Sequence, residues 1–217
     1  MSHKGLPLSA ELHAYMLEHS TPPDPVMADL IEETLKALPD DASMQVAPEQ
    51  AAFLRILTSV LVVRRAVEVG TFTGLSSLSI ARGLAEGGRL ICFDISDEFT
   101  SIARRYWERA GVDDRIELRI GRAAERIGEL PNEPHLDLAF IDAHKSGYPT
   151  YWNELVPRVR QGGLLLVDNT LWSGRVIDPQ QDRDREIVAF NDLARSDPRV
   201  ELLVLPIADG LTMARKL

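Results

Sequence analysis

The sequence predicts a doubly wound α/β fold with a mostly parallel sheet, and three observations lead there. From residue 66 onward, short apolar runs alternate with amphipathic stretches. The runs are apolar at successive positions, the pattern of strands covered by helices on both faces. Acids fall at the ends of several runs: Asp94, Asp142 and Asp168 close three of them, and Glu68 lies near the end of the first. In such a fold those ends share one edge of the sheet, the edge at which ligands bind.

The elements follow in order. Helices are expected over residues 9–18, 26–38 and 48–62. Thr21-Pro22-Pro23-Asp24-Pro25 separates the first two, because proline lacks the amide hydrogen and restricts its predecessor. Asp24 and Pro25 suit the N-cap and first position of the second helix. Strands are expected over 66–70, 89–94, 116–120, 136–142 and 163–168, with helices over 74–85, 97–110, 122–127 and 150–160 between them. The tail adds a helix over 185–195, then 201–206 and 210–216, which a short turn joins as an antiparallel hairpin.

With 217 residues the chain fits one domain that buries a full core, a helical extension over 1–45 preceding a core over 46–217. The longest apolar run, 57–63, is far short of the roughly 20 residues that span a bilayer. No basic stretch followed by an apolar one opens the sequence, and the single cysteine, Cys92, sits in an apolar run; a cytoplasmic location is the expectation. The net charge of −9 opposes phosphate neutralisation, so nucleic acid is disfavoured and a small molecule is the expected partner.

Four carboxylates at one sheet edge would be costly to bury without partners. A metal together with a ligand rich in hydroxyl and amino groups answers that cost; helix capping by individual acids is the alternative. Glu68-Val69-Gly70-Thr71-Phe72-Thr73-Gly74 forms a strand-to-helix turn in which Gly70 lets a ligand approach the backbone. Phe72 stands where a dinucleotide-binding turn has its second glycine, which disfavours a pyrophosphate and a nicotinamide-dependent oxidoreductase. Asp94 is placed to accept hydrogen bonds from ribose hydroxyls. Asp142, Asp168 and Asn169 offer hard oxygen donors suited to Mg²⁺. Lys145, beside that cation and partly buried, reads as a general base; the alternatives are a solvated lysine and an asparagine that only makes a turn.

On these residues the chain resembles the cation-dependent O-methyltransferases of the catechol and caffeoyl-coenzyme-A type. The resemblance rests on 68–76, Asp94, 140–145 and 168–172, supported by 110–113 and 44–50, and spans about 44–217. It implies a seven-stranded, Rossmann-like class I methyltransferase sheet whose last strand is antiparallel. It further implies that Glu68, Gly70 and Ser76, with Thr71 beside them, hold the methionine part of S-adenosylmethionine and that Asp94 holds its ribose. Ala123 would lie against the adenine, and Val46 would contact the cofactor where plant relatives have threonine. Asp142, Asp168 and Asn169 match the ligands of Mg²⁺ or another divalent cation, Asp142 also bordering the cofactor, and Lys145 matches the base. His144 departs from the acid that many relatives carry, and reads either as an exposed loop residue or as a contact to substrate or metal.

The implied activity is methylation of a hydroxyl on a small catechol-like substrate by a homodimer, its N-terminal helices the candidate interface. Tyr148 and Trp172 are candidates to wall the substrate ring, ordinary packing being the other reading. The polar loop over 173–184 reads as a mobile lid in which Arg175 and Arg183 meet an acidic substrate. The rivals are a tRNA hydroxyuridine methyltransferase of the same family, which the acidic charge opposes, and a non-catalytic S-adenosylmethionine-binding module, which has no need of Lys145.

Overall fold

The computed structural model describes residues 6–217, so residues 1–5 of the expected extension lie outside the described residues. Seven strands form one sheet in the order β3-β2-β1-β4-β5-β7-β6. They are β1 (Arg65–Val69), β2 (Arg89–Asp94), β3 (Ile116–Ile120), β4 (Leu136–Ile141), β5 (Val159–Val167), β6 (Val200–Leu205) and β7 (Leu211–Lys216). Pairing is parallel from β3 through to β5, and β7 runs antiparallel between β5 and β6. The helices are α1 (Ala10–Glu18), α2 (Pro25–Ala37), α3 (Pro48–Val60), α4 (Leu75–Gly83), α5 (Asp97–Ala110), α6 (Ala123–Ile127), α7 (Tyr148–Leu155) and α8 (Asp182–Ser196).

Local chemistry sets the helix starts. Asp24 Oδ1 accepts from the Val26 and Met27 amides, with Pro25 at the first helical position of α2. Ser9 caps α1 and Ser96 caps α5 in the same way. Three expected elements have moved boundaries. The helix placed at 150–160 runs instead over Tyr148–Leu155, because Pro157 cannot donate to a continuing helix. Val159 pairs with Leu136, so β5 begins there and passes through a register shift before Leu164 pairs with Leu138. The helix placed at 185–195 starts earlier, at Asp182.

The sheet buries two apolar layers. Leu30, Leu54, Leu78, Leu90 and Trp107 pack on one side; Phe93, Ile127, Trp152, Ile187 and Phe190 pack on the other. Cys92 is buried in β2, as its apolar flanks imply. By contrast α1 buries none of its side chains and touches α3 through His13 Nε2 and Glu49 Oε1, 3.0 Å apart. Among the described residues no helix is long and apolar enough to cross a membrane.

Candidate active site

Strand register brings the acids together. Val69 is level with both Phe93 and Ile141, and Ile141 is level with Val167. The next residue of each strand is therefore Gly70, Asp94, Asp142 or Asp168, and all four line one cleft of about 1020 Å³. Asp142 N donates to Val69 O at 2.8 Å and Gly70 N to Phe93 O at 2.9 Å, which fixes this edge. Gly70 has φ +93, and a Cβ on it would stand 2.0 Å from the Asp142 carbonyl oxygen. The tight neighbour that demands glycine is thus the β4 backbone, whereas the sequence suggested only the approach of a ligand.

Glu68 is the acid that does not reach the edge. It lies inside β1, fully buried, is absent from the cleft lining, and neither carboxylate oxygen has a hydrogen-bond partner. Burial pushes its carboxyl up to about 7. The expectation of four carboxylates converging on the cleft is corrected to three: Glu68 lies two residues before Gly70, inside a strand buried on both faces. Thr71 and Ser76, which do line the cleft, are its polar neighbours.

Asp94 Oδ2 accepts from the amides of Thr71 (2.8 Å) and Phe72 (2.9 Å), and Oδ1 accepts from Ser96 N (2.8 Å). A carboxylate has about four acceptor positions, so Oδ1 keeps one for a ligand hydroxyl. Phe72, with φ +52, packs edge-on against Phe99 at 5.0 Å. Val46 and Ala123 also line this half of the cleft.

In the other half, Lys145 Nζ donates to Asp142 Oδ1 (3.1 Å), Asn169 Oδ1 (2.5 Å) and the Tyr148 hydroxyl (2.6 Å). Asn169 has φ +56, a left-handed conformation that asparagine adopts more readily than most residues. Asp168 is 3% exposed and its Oδ1 accepts from Asn169 N at 2.7 Å. Burial, and then the Asp142 charge, push the Asp168 carboxyl up to about 7. An ammonium already sits against the oxygens of Asp142 and Asn169, while the charge of Asp142 raises a second, buried carboxyl nearby. That donor set fits a hard divalent cation. Its composition is two carboxylates and an amide; among the described residues no group of three or more His, Cys, Asp or Glu is arranged to hold a metal.

One candidate for the ring wall is ordinary packing, the other reading the sequence allowed. Tyr148 is fully buried and does not line the cleft; its hydroxyl donates to the Asp168 carbonyl at 3.1 Å, and burial raises the phenol well above its usual range. It supports Lys145 and walls no ligand. Tyr151, one turn further along α7, lines the cleft instead, over Gly147, where a Cβ would meet its ring at 2.5 Å. Trp172 lines the cleft, and His144 lines it as an exposed residue whose Nδ1 is 2.7 Å from Ser146 Oγ.

Comparison with known proteins places this geometry. A family model described as O-methyltransferase matches residues 17–217. The chain belongs to the O-methyltransferase family. A probable caffeoyl-CoA O-methyltransferase 2 of Dictyostelium discoideum is 37% identical over 209 residues, covering 94% of this chain and 90% of that one. A caffeoyl-CoA O-methyltransferase of Eucalyptus gunnii is 33% identical, covering 100% of this chain and 92% of its own. The crystal structure of the O-methyltransferase from Bacillus cereus in complex with SAH superposes with a TM-score of 0.85 at 32% identity, covering 95% of this chain and 97% of that one. The fold is thus the Rossmann-like O-methyltransferase fold, and the protein is an O-methyltransferase.

Within this O-methyltransferase, sequence reasoning missed Gln50 and Asp184 as well as Tyr151. Gln50, on α3, is 1% exposed and lines the cleft with its Nε2 unpartnered. A polar residue on the apolar side of a helix was the available signal. Asp184 carried none, because an acid in the first turn of a surface helix is ordinary.

Proposed function

We propose that the whole chain acts as one domain that moves the methyl group of S-adenosylmethionine to a hydroxyl of a catechol-like ring, with a divalent cation held by Asp142, Asp168 and Asn169. The observation that carries this reading is the convergence of those oxygen donors with Lys145 at one end of a cleft whose other end presents Asp94 and the 70–76 turn. The bound SAH in the Bacillus cereus relative supports the donor.

Gly70, Thr71 and Ser76 bind the methionine part of the donor, with Glu68 acting from behind them through Thr71 and Ser76. Asp94 holds the ribose with the free acceptor position of Oδ1 and stiffens the turn with the others. Val46 and Ala123 flank the adenosyl group. When bound, the cation supplies Lewis-acid stabilisation of the ionised acceptor hydroxyl. Lys145 Nζ first gives one of its three protons to solvent and, as the neutral amine, takes the hydroxyl proton, still held by the buried Tyr148 hydroxyl. The acceptor oxygen bonds to the methyl carbon as the carbon–sulfur bond breaks, leaving S-adenosylhomocysteine. The cleft contributes by orienting the two reactants. Trp172 and Tyr151 border the acceptor ring, with His144 at its rim.

The test is Asp168→Ala. Calorimetric titration with Mg²⁺ is expected to show binding to the wild type and none to the variant, while donor affinity stays within about twofold and turnover falls about a hundredfold or more. Near-normal turnover in the variant would remove the metal mechanism.

A further inference from the structure

We propose that Asp184, remote from the reacting atoms, is a positioning residue that sets acceptor affinity by locking Trp172 and Arg175 into one wall of the cleft. The proposal rests on the reading that the acceptor lies between Lys145 and Trp172.

Asp184 sits in the first turn of α8, where a carboxylate ordinarily caps the helix and does no more. Here Oδ2 accepts from the amides of Gln180 (3.1 Å) and Gln181 (2.9 Å), which is the cap. Oδ1 accepts from Trp172 Nε1 at 2.9 Å and Arg175 Nε at 3.0 Å. The acceptor positions of one carboxylate are thereby used up. The side chain is 1% exposed, although it lies beside the mouth of the cleft and does not line it. The Gln181 amide, first among these partners, holds the carboxyl below its usual range, so the charge persists near neutrality.

The loop backbone is tied at its start, Leu171 N donating to Asp209 O (3.0 Å) and Gly174 N to Leu171 O (2.9 Å), and Trp172 and Val176 pack against the core. Ser173 and Gly174 adopt left-handed backbone, with φ of 52 and 78, so no helical ladder runs through them. Asp209 Oδ1 ties the Ser173 amide at 2.5 Å, and the side-chain hydrogen bonds of Trp172 and Arg175, which face the cleft, both go to Asp184. The Arg175 guanidinium lies 4.9 Å from the centre of the Trp172 ring, a cation–π contact that Oδ1 sets by holding both partners. The sequence suggested a mobile lid whose Arg175 meets an acidic substrate. In the structure Asp184 holds Arg175 through Nε, and the half-exposed guanidinium lines the cleft beside Trp172, so that the pair forms a preset wall. Preset walls contribute to binding by reducing the ordering that binding requires.

Asp184→Asn keeps the volume and removes the charge, and Trp172→Phe keeps an aromatic ring but removes the N–H donor together with part of the indole. Both are measured with a simple catechol, S-adenosylmethionine and Mg²⁺. In Asp184→Asn the acceptor KM is expected to rise about tenfold, with kcat within about threefold and donor Kd within about twofold. Trp172→Phe is expected to raise acceptor KM in the same sense, and the double variant to rise less than the product of the single effects. Tryptophan emission should shift to the red in Asp184→Asn, since Trp107 and Trp152 are buried at 3% and 0% exposure and Trp172 is the partly exposed one.

An unchanged acceptor KM in either variant overturns the proposal, as does a parallel loss of donor affinity, which would mean general loosening. If Asp184→Asn fails to fold, Arg175→Met at a half-exposed position takes its place, removing one Oδ1 partner and leaving the Trp172 ring whole: the same rise in acceptor KM is expected, and an unchanged KM overturns the proposal. If the wild type turns over no catechol, the substrate reading fails separately, and unchanged emission in Asp184→Asn is then the result that overturns the clamp.

Discussion

Adding one methyl group at Gly70 should damage both the fold and the metal end of the cleft. In Gly70→Ala the new Cβ would stand 2.0 Å from Asp142 O and 2.7 Å from Asp142 C, against the 3.4–4 Å of ordinary contact. Relief requires β1 and β4 to part by roughly an ångström, and the Asp142 N to Val69 O bond of 2.8 Å opposes that movement. The left-handed backbone, at φ +93, costs about 1–2 kcal/mol with a Cβ present, and a weakened edge hydrogen bond adds about 1 kcal/mol. The expected loss of stability is about 2–3 kcal/mol. Moving Asp142 by an ångström should cost about a hundredfold in turnover. Gly87→Ala is the control, with φ +71 and nothing within 4 Å, so it should show the backbone cost alone and normal turnover. Chemical denaturation and steady-state assays of both variants read these effects. A Gly70→Ala protein with the stability of the Gly87→Ala control and wild-type turnover would refute the steric reasoning.

Two further outcomes concern pH. Burial raises Glu68 to about 7 from 4.5, so the folded state holds this proton more tightly than the unfolded chain. Its contribution is full below about 4.5 and is lost as pH rises towards 7, and Glu68→Gln should flatten that slope between pH 5 and pH 8 melts. Asp197 shows the opposite sign: Arg199 foremost, with the Trp152 Nε1 donor at 2.9 Å, holds its carboxyl down at about 2 against 3.8. That stabilisation is present above about 3.8 and lost as pH falls through about 2, so wild type and Asp197→Asn should converge at the acid end of the range. At neutral pH the variant is expected to be weaker by about 1–2 kcal/mol, a figure kept low because Arg199 is partly exposed.

The fold was legible because its signals are local and repeated. Successive apolar runs ending in Asp94, Asp142 and Asp168 encode a covered parallel sheet and also the edge at which its ligands gather. Asp24-Pro25 and the 206–210 turn encode a helix start and a hairpin without help from distant residues. Depth and direction across the sheet were not legible. Glu68 reads as one more strand-end acid, yet it stops two residues short of the edge, in a strand covered on both faces. Tyr148 and Tyr151 sit three positions apart on α7, and only packing against Phe190, 5.3 Å from the Tyr148 ring, decides which is buried. The partners of Asp184 come from loop residues whose left-handed backbone has no readable period.

The most direct measurement is release of S-adenosylhomocysteine from S-adenosylmethionine and a simple catechol, with Mg²⁺ and then with excess chelator. Turnover that chelator abolishes and added Mg²⁺ restores is the expected result, tying the chemistry to Asp142, Asp168 and Asn169. Turnover that continues unchanged in chelator would contradict the metal-assisted reaction.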